Sequence, residues 1–133
     1  MDDKAKEVVR VFRKYARLGL TSGGLNPIQQ YKRIDMACIS RRAKLEMLAV
    51  FDTLRLLEIS GEQNIIDAIH SVYFCKLSSR LSKHDIGLAV RACANEQFCD
   101  ERTIYRRLER ARQIYINTHA KEGLAWDGCR DVF

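Results

Sequence analysis

The chain has 133 residues, of which 47% are hydrophobic and 30% are charged, and it contains a single proline. This length suits one domain or two very small ones, and the composition is typical of a soluble all-α protein. No apolar run approaches the roughly 18 residues that a membrane-spanning helix requires, so we expect no membrane segment.

The five cysteines are odd in number and irregularly spaced. They include no CxxC pair, and no apolar leader precedes them, so we expect a cytoplasmic protein with reduced thiols. Structural zinc sites normally pair ligands two to four residues apart, a spacing that is missing here. We therefore expect no metal or other cofactor, and we interpret Cys38, Cys75 and Cys93 as small buried hydrophobic residues.

The positive charge is distributed unevenly. The net charge is +6, with 12 Lys+Arg against 7 Asp+Glu in residues 1–61 and 11 against 10 in residues 62–133. Within the nearly neutral second half, residues 102–112 hold five arginines and one glutamate. Such a surplus suggests an anionic partner, and its concentration on one segment points to nucleic acid.

Residues 1–61 are predicted to form a helical N-terminal region. A first amphipathic helix spans 2–18, a glycine-rich break follows at 19–26, and Asn26-Pro27 caps a helix over 27–39. Ser40 then caps a helix over 41–59 that ends at Gly61. Its predicted apolar stripe is Leu45, Leu48, Ala49, Leu56 and Ile59, with Asp52 as an exception.

Residues 62–118 are predicted to form a second, DNA-binding region. It begins with an aliphatic helix over 62–75 and continues with a helix over 83–95 that Ser82 and Asp85 start as a capping box. A turn at 96–99 leads into a helix over 100–116, with Asp100 as its N-cap. Residues 119–133 are interpreted as a weakly ordered tail or a small docking segment.

The helix over 100–116 has two chemically different faces. Ile104, Leu108, Ala111 and Tyr115 recur at helical spacing, whereas arginines crowd the other side. A helix that packs on one face and offers arginines on the other suits the major groove of DNA. The candidate DNA contacts of the region are Lys83, His84, Glu101, Arg102, Thr103, Tyr105, Arg106, Arg107 and Arg110.

The position of each side chain on this helix suggests its role. Arg102 or Arg106 could pair bidentately with guanine, and Glu101 could accept from cytosine. Thr103 suits a phosphate or a thymine methyl group, and Tyr105 suits either a phosphate or a half-buried surface position. Later in the helix, Arg107, Arg110 and Arg112 are expected to contact phosphates, or else Glu109 and each other.

Two further basic features leave alternatives open. Lys83 and His84 stand at a helix N-terminus, where backbone N–H groups favour a phosphate, although a plain exposed histidine is the favoured interpretation of His84. The cluster of Lys32, Arg33, Arg41, Arg42 and Lys44 could be a second phosphate contact, but a solvated helix face is favoured.

The segment over 62–116 resembles the sigma-like DNA-binding domain of phage-type transcription activators, the RinA/ArpU group. The resemblance rests on Ile65, Ile66, Ile69 and the pair Tyr73-Phe74, on Asp100-Glu101-Arg102-Thr103-Ile104-Tyr105-Arg106, and on Ala111-Arg112. The turn Asn95-Glu96-Gln97-Phe98-Cys99 departs from the pattern because it lacks glycine. The resemblance implies a helix–turn–helix regulator that binds double-stranded DNA near promoters and contacts RNA polymerase.

The sequence therefore predicts a sequence-specific transcription regulator whose N-terminal helices dimerise or contact polymerase, because palindromic operators pair with two-fold proteins. Two alternatives remain: a helical protein-interaction module, and a phage packaging adaptor that assembles into rings. No Gly-rich phosphate loop, nucleophile elbow or carboxylate pair is evident, so we do not expect an enzyme.

Overall fold

A computed structural model describes residues 3–23, 26–75 and 82–132, with side chains as far as residue 122. The described residues form six α-helices, one short 3-10 helix over Leu20–Gly23 and no strand. The helices are α1 (Asp3–Arg17), α2 (Pro27–Met36), α3 (Arg41–Ile59), α4 (Gln63–Val72), α5 (Lys83–Glu96) and α6 (Glu101–Val132). The all-α prediction is confirmed. Within these residues, no helix combines the length and apolar character that crossing a bilayer requires.

The predicted caps set most of the helix boundaries. The Asn26 side chain accepts a hydrogen bond from the backbone N–H of Gln29, and Ser40 accepts one from Ala43. At the end of α3, Gly61 adopts a φ of 76°, which glycine tolerates without steric cost. Its N–H donates to the carbonyl of Glu58, closing the helix as predicted.

The apolar stripe predicted for α3 is confirmed only in part, because Ala49 is buried and Leu48 packs against the core but the last two members are exposed. Leu56 and Ile59 are 48% and 75% exposed, whereas Met47, Val50, Leu54 and Leu57 are buried. These four recur at spacings of three and four residues and form an alternative face on a helix that is apolar almost all round. The neighbours of α3, which are α1, α2, α4 and α6, select this face over the predicted one.

One hydrophobic core runs through the described part of the molecule and is built around the aromatic ring of Phe12 in α1. This ring lies 5.7 Å from the ring of Tyr73, just after α4, and 5.6 Å from the ring of Tyr115 in α6. The core is therefore continuous across the boundary placed at residue 61. The division into regions 1–61 and 62–118 stays a prediction from the sequence.

Helix α6 is longer than the sequence suggested. It continues from Glu101 to Val132, through the segment interpreted as a weakly ordered tail. Gly123 and Gly128 weaken a helix by about 1 kcal/mol each relative to alanine, but they do not end it as a proline would. At the start of this extension, the ring of His119 stacks on Tyr115 with the planes 9° apart.

Candidate nucleic-acid interface

Helices α5 and α6 are joined by a four-residue connection, residues 97–100. Helix α5 opens with the predicted capping box, in which Ser82 accepts from the N–H of Asp85 and Asp85 accepts from the N–H of Ser82. It closes where the N–H of Cys99 donates to the carbonyl of Ala94 at 3.0 Å. Two helices joined by a short connection are thus present, while the sigma-like helix–turn–helix stays a prediction.

Phe98 explains how this connection turns without a glycine. Its φ is +54°, in the left-handed region that glycine usually occupies at such a turn. For a residue with a Cβ this conformation costs roughly 1–2 kcal/mol. The side chain is 95% exposed, so it gains little from packing in return.

The inner face of α6 anchors it to the rest of the molecule. Ile104, Leu108, Ala111 and Tyr115 are all buried, as the sequence predicted. Helix α6 packs against α3, α4 and α5 and also contacts α1, and α4 and α5 pack against each other.

The start of α6 is held by Asp100. Its carboxylate accepts hydrogen bonds from both the backbone N–H and the hydroxyl of Thr103, each at 2.8 Å. These two hydrogen bonds, together with the nearby charges of Arg102 and Arg106, keep the pKa of Asp100 below its ordinary value. The predicted N-cap is confirmed, and the Thr103 hydroxyl is already engaged by it.

The outer face of the first two turns of α6 is open to solvent. Arg102, Tyr105 and Arg106 are exposed, and no hydrogen bond or ion pair within the described residues engages either arginine. Glu101 is exposed too, but its carboxylate lies 3.6 Å from the guanidinium of Arg91 on α5. Lys83 and His84 are exposed in the first turn of α5.

The later arginines of α6 contact other parts of the chain. Arg110 donates two hydrogen bonds to the carboxylate of Glu62, from Nε at 2.7 Å and from Nη2 at 3.1 Å. This bidentate pair lowers the pKa of Glu62, with a further hydrogen bond from Ser60, and raises that of Arg110. Neither Glu109 nor a neighbouring arginine is the partner, so the expectation of such contacts was wrong.

Arg107 and Arg112 are half-buried and also donate hydrogen bonds to other parts of the chain. Arg107 donates to the side-chain carbonyl of Gln97, whose amide in turn donates to the backbone of Asn64 at 2.9 Å. Arg112 donates to the hydroxyl of Tyr73 at 2.8 Å. These contacts tie α6 to both ends of α4 and to the α5–α6 connection, which a pattern read along one helix could not reveal.

The four cysteines among the residues with described side chains form no disulfide, and their burial matches the prediction only in part. Cys93 is buried, and burial raises the pKa of its thiol. Cys75 is half-buried, and Cys38 is exposed because it follows the end of α2, so its interpretation as a core residue was wrong. No group of three or more metal-ligating side chains occurs among the described residues.

One carboxyl pair was missed by the sequence analysis. Glu122, on α6, lies close enough to Asp52 on α3 for the two carboxyl groups to interact, and its Oε2 atom is buried without a hydrogen-bond partner. Burial first, and then the interaction with Asp52, raises the pKa of Glu122 well above its ordinary value. The available signal was Asp52 itself, the polar exception in an otherwise apolar stripe.

Comparisons of the chain with protein-family models, with curated proteins and with solved structures find no match.

Proposed function

We propose that this chain is a sequence-specific DNA-binding transcription regulator of phage or prophage type that reads the major groove with the first two turns of α6. The observation that carries the proposal is the contrast among the arginines of this helix. Arg102 and Arg106 project into solvent from a capped and anchored helix start, whereas Arg107, Arg110 and Arg112 are engaged within the chain. A groove-reading helix needs this combination of a rigid base and outward donors.

In this proposal Arg102 and Arg106 contact the DNA directly. They lie four residues apart, hence on one face and one turn from each other. Each can donate two hydrogen bonds to the O6 and N7 atoms of a guanine, or else pair with a phosphate. Tyr105 lies beside them with an exposed ring, within reach of a phosphate oxygen.

The other predicted DNA contacts have positioning or phosphate-binding roles in this proposal. Glu101 is held by Arg91, and Thr103 by Asp100, so both orient the helix start before any base is met. Arg107 and Arg110 position α6 on the connection and on α4 rather than neutralising phosphates. Lys83 and His84 lie in the first turn of α5, where the helix dipole favours a phosphate group.

A protein partner is the second candidate function. Ile28 on α2 and Leu56 and Ile59 on α3 are large apolar side chains with exposed fractions of 70%, 48% and 75%. Leu56 and Ile59 lie three residues apart on one side of α3, and neighbouring exposed apolar side chains mark contact surfaces more often than those scattered singly. They favour the expected homodimer or polymerase contact of the N-terminal helices, and also the pure interaction module.

The decisive experiment is selection of bound duplexes from a random double-stranded DNA library. The wild-type protein is compared with Arg102→Gln/Arg106→Gln and with the control Lys4→Gln/Lys121→Gln, which removes the same charge from exposed sites elsewhere. We expect the wild type and the control to enrich one motif. The arginine variant should lose about 5- to 150-fold in affinity per guanine contact and select less sharply.

Two results would contradict the proposal. One is a wild-type protein that enriches no motif, and the other is a motif that survives the arginine double variant unchanged. Light scattering supplies an independent check, since a closed ring of many subunits would favour the packaging adaptor. A dimer would agree with a two-fold operator.

A further inference from the structure

The solvent-exposed side of α1 carries a regular line of positive charge. Lys6, Arg10, Lys14 and Arg17 are all exposed and follow one another at spacings of four, four and three residues. At about 100° per residue these spacings place all four within a sector of about 80°. We call this set the α1 stripe. It extends over about 16 Å along the helix axis.

The charge of the α1 stripe is poorly compensated within the described residues. Arg10 pairs with Glu7 at 2.9 Å, but no described carboxylate lies within ion-pair distance of Lys6, Lys14 or Arg17. Like charges four residues apart on a helix destabilise it, and the stripe contains two such pairs, Lys6 with Arg10 and Arg10 with Lys14. The arrangement therefore costs the isolated protein stability that an anionic partner would restore.

The α2 helix adds a fifth cation at the C-terminal end of the stripe. The guanidinium of Arg33 donates to the carbonyl of Gly19 at 2.9 Å and to the hydroxyl of Ser22 at 3.3 Å. Both acceptors belong to the turn that directly follows α1. The exposed charge of Arg33 is thus held beside the end of α1 rather than spread over α2.

On this basis we propose that the α1 stripe, with Arg33, contacts the phosphate backbone of duplex DNA. The inference rests on the proposed function and assigns it a second, sequence-independent contact. Duplex DNA carries one negative charge per about 1.7 Å of axis, both strands counted, so a 16 Å length of duplex holds about nine or ten phosphates, of which those on the near side can meet the stripe. The regular spacing of phosphates along the duplex therefore suits a row of cations that lie one helical turn apart.

Counterion release provides a direct test. Each phosphate that a protein neutralises adds about 0.9 to the slope of the logarithm of affinity against the logarithm of salt concentration. The probe is a random-sequence duplex of about 40 base pairs, titrated by fluorescence anisotropy between about 50 and 200 mM salt. The test variant is Lys14→Gln/Arg17→Gln, and the control is Lys4→Gln/Lys121→Gln. Lys4 is two residues before Lys6 and points about 160° away from it.

We expect the test variant to reduce the salt slope by up to about 1.8, while the control leaves it unchanged. The melting temperature separates this role from a structural one. If Lys14 and Arg17 served only to compensate the dipole at the end of α1, their removal would lower the melting temperature and leave the slope unaltered. We expect instead a weaker slope, whether or not the melting temperature also falls.

The outcomes distinguish this inference from the function on which it rests. If the test variant leaves the salt slope unchanged while motif selection still depends on Arg102 and Arg106, only the proposed phosphate contact of the α1 stripe is overturned. A wild-type protein that does not bind the duplex overturns both. Stripe-dependent binding to phosphatidylserine vesicles together with stripe-independent binding to the duplex would assign the stripe to a lipid surface and overturn the inference.

Discussion

Arg13 offers the sharpest test of how helix α1 supports the C-terminal end of α4. Its side chain is 3% exposed, and Nη1 donates to the backbone carbonyls of Tyr73 at 3.0 Å and of Cys75 at 2.8 Å. These carbonyls follow the last turn of α4, where a helix leaves acceptors without partners of its own. Burial first, and then the nearby charge of Arg17, lowers the pKa of Arg13, because a buried site disfavours the charged form of the guanidinium.

We expect Arg13→Met to lower the free energy of unfolding by about 3–5 kcal/mol. Methionine keeps much of the apolar stem, so the loss comes from the two hydrogen bonds. A bond to a charged donor contributes about 1.5–3 kcal/mol, and a buried carbonyl without a partner costs about 1–3 kcal/mol. The free energy of unfolding of Arg13→Lys should lie between those of Arg13→Met and the wild type, because an ammonium group keeps hydrogen-bond donors but lacks the planar geometry of a guanidinium.

Urea unfolding measures this loss, with Arg10→Met as the matched control. Arg10 is exposed on the same helix and pairs with Glu7 at the surface, so we expect its replacement to change stability by less than about 1 kcal/mol. Hydrogen exchange at residues 73–75 should accelerate in Arg13→Met. Equal stability of the two methionine variants would refute the reasoning that these hydrogen bonds hold the end of α4.

Three further predictions concern single side chains. Because folding raises the pKa of Glu122, the folded protein keeps a proton on this residue that the unfolded chain loses above about pH 4.3. The free energy of unfolding should therefore fall with rising pH, by up to about 1.4 kcal/mol per pH unit, until the pH exceeds the raised pKa. Glu122→Gln should flatten this dependence in urea unfolding at about pH 5, 7 and 9, and an unchanged slope would show that Glu122 is not a group with a raised pKa. Phe98→Gly should raise stability by up to about 1 kcal/mol by relieving its positive φ, whereas Phe98→Ala should not; equal melting temperatures for the two would contradict the argument. Gln30 is fully buried and donates to the carbonyl of Leu20 at 2.7 Å, so Gln30→Leu should cost about 1–3 kcal/mol in thermal unfolding, and a neutral result would show that the carbonyl finds another donor.

The candidate interface shows which contacts can be predicted from residue spacing along the chain and which cannot. The inner face of α6 and the Asp100 cap were predictable, because both depend on residues within one or two turns of each other. The partners of its later arginines were not. Arg110 pairs with a residue 48 positions away, and Arg112 with one 39 positions away. Position along the helix separated these arginines from Arg102 and Arg106, but only packing shows which distant residues engage them.

The sequence by itself determined where helices begin and the class of the fold. Asn26, Ser40 and Ser82 each satisfy a backbone N–H three residues later, an interaction that forms without the rest of the molecule. Only the tertiary structure decided which face of α3 is buried, because that helix offers apolar residues on several sides. It also decided that Asp52 meets Glu122 and that Arg13 supports the end of α4, since burial of a charged group is stable only where distant parts of the chain supply its partners.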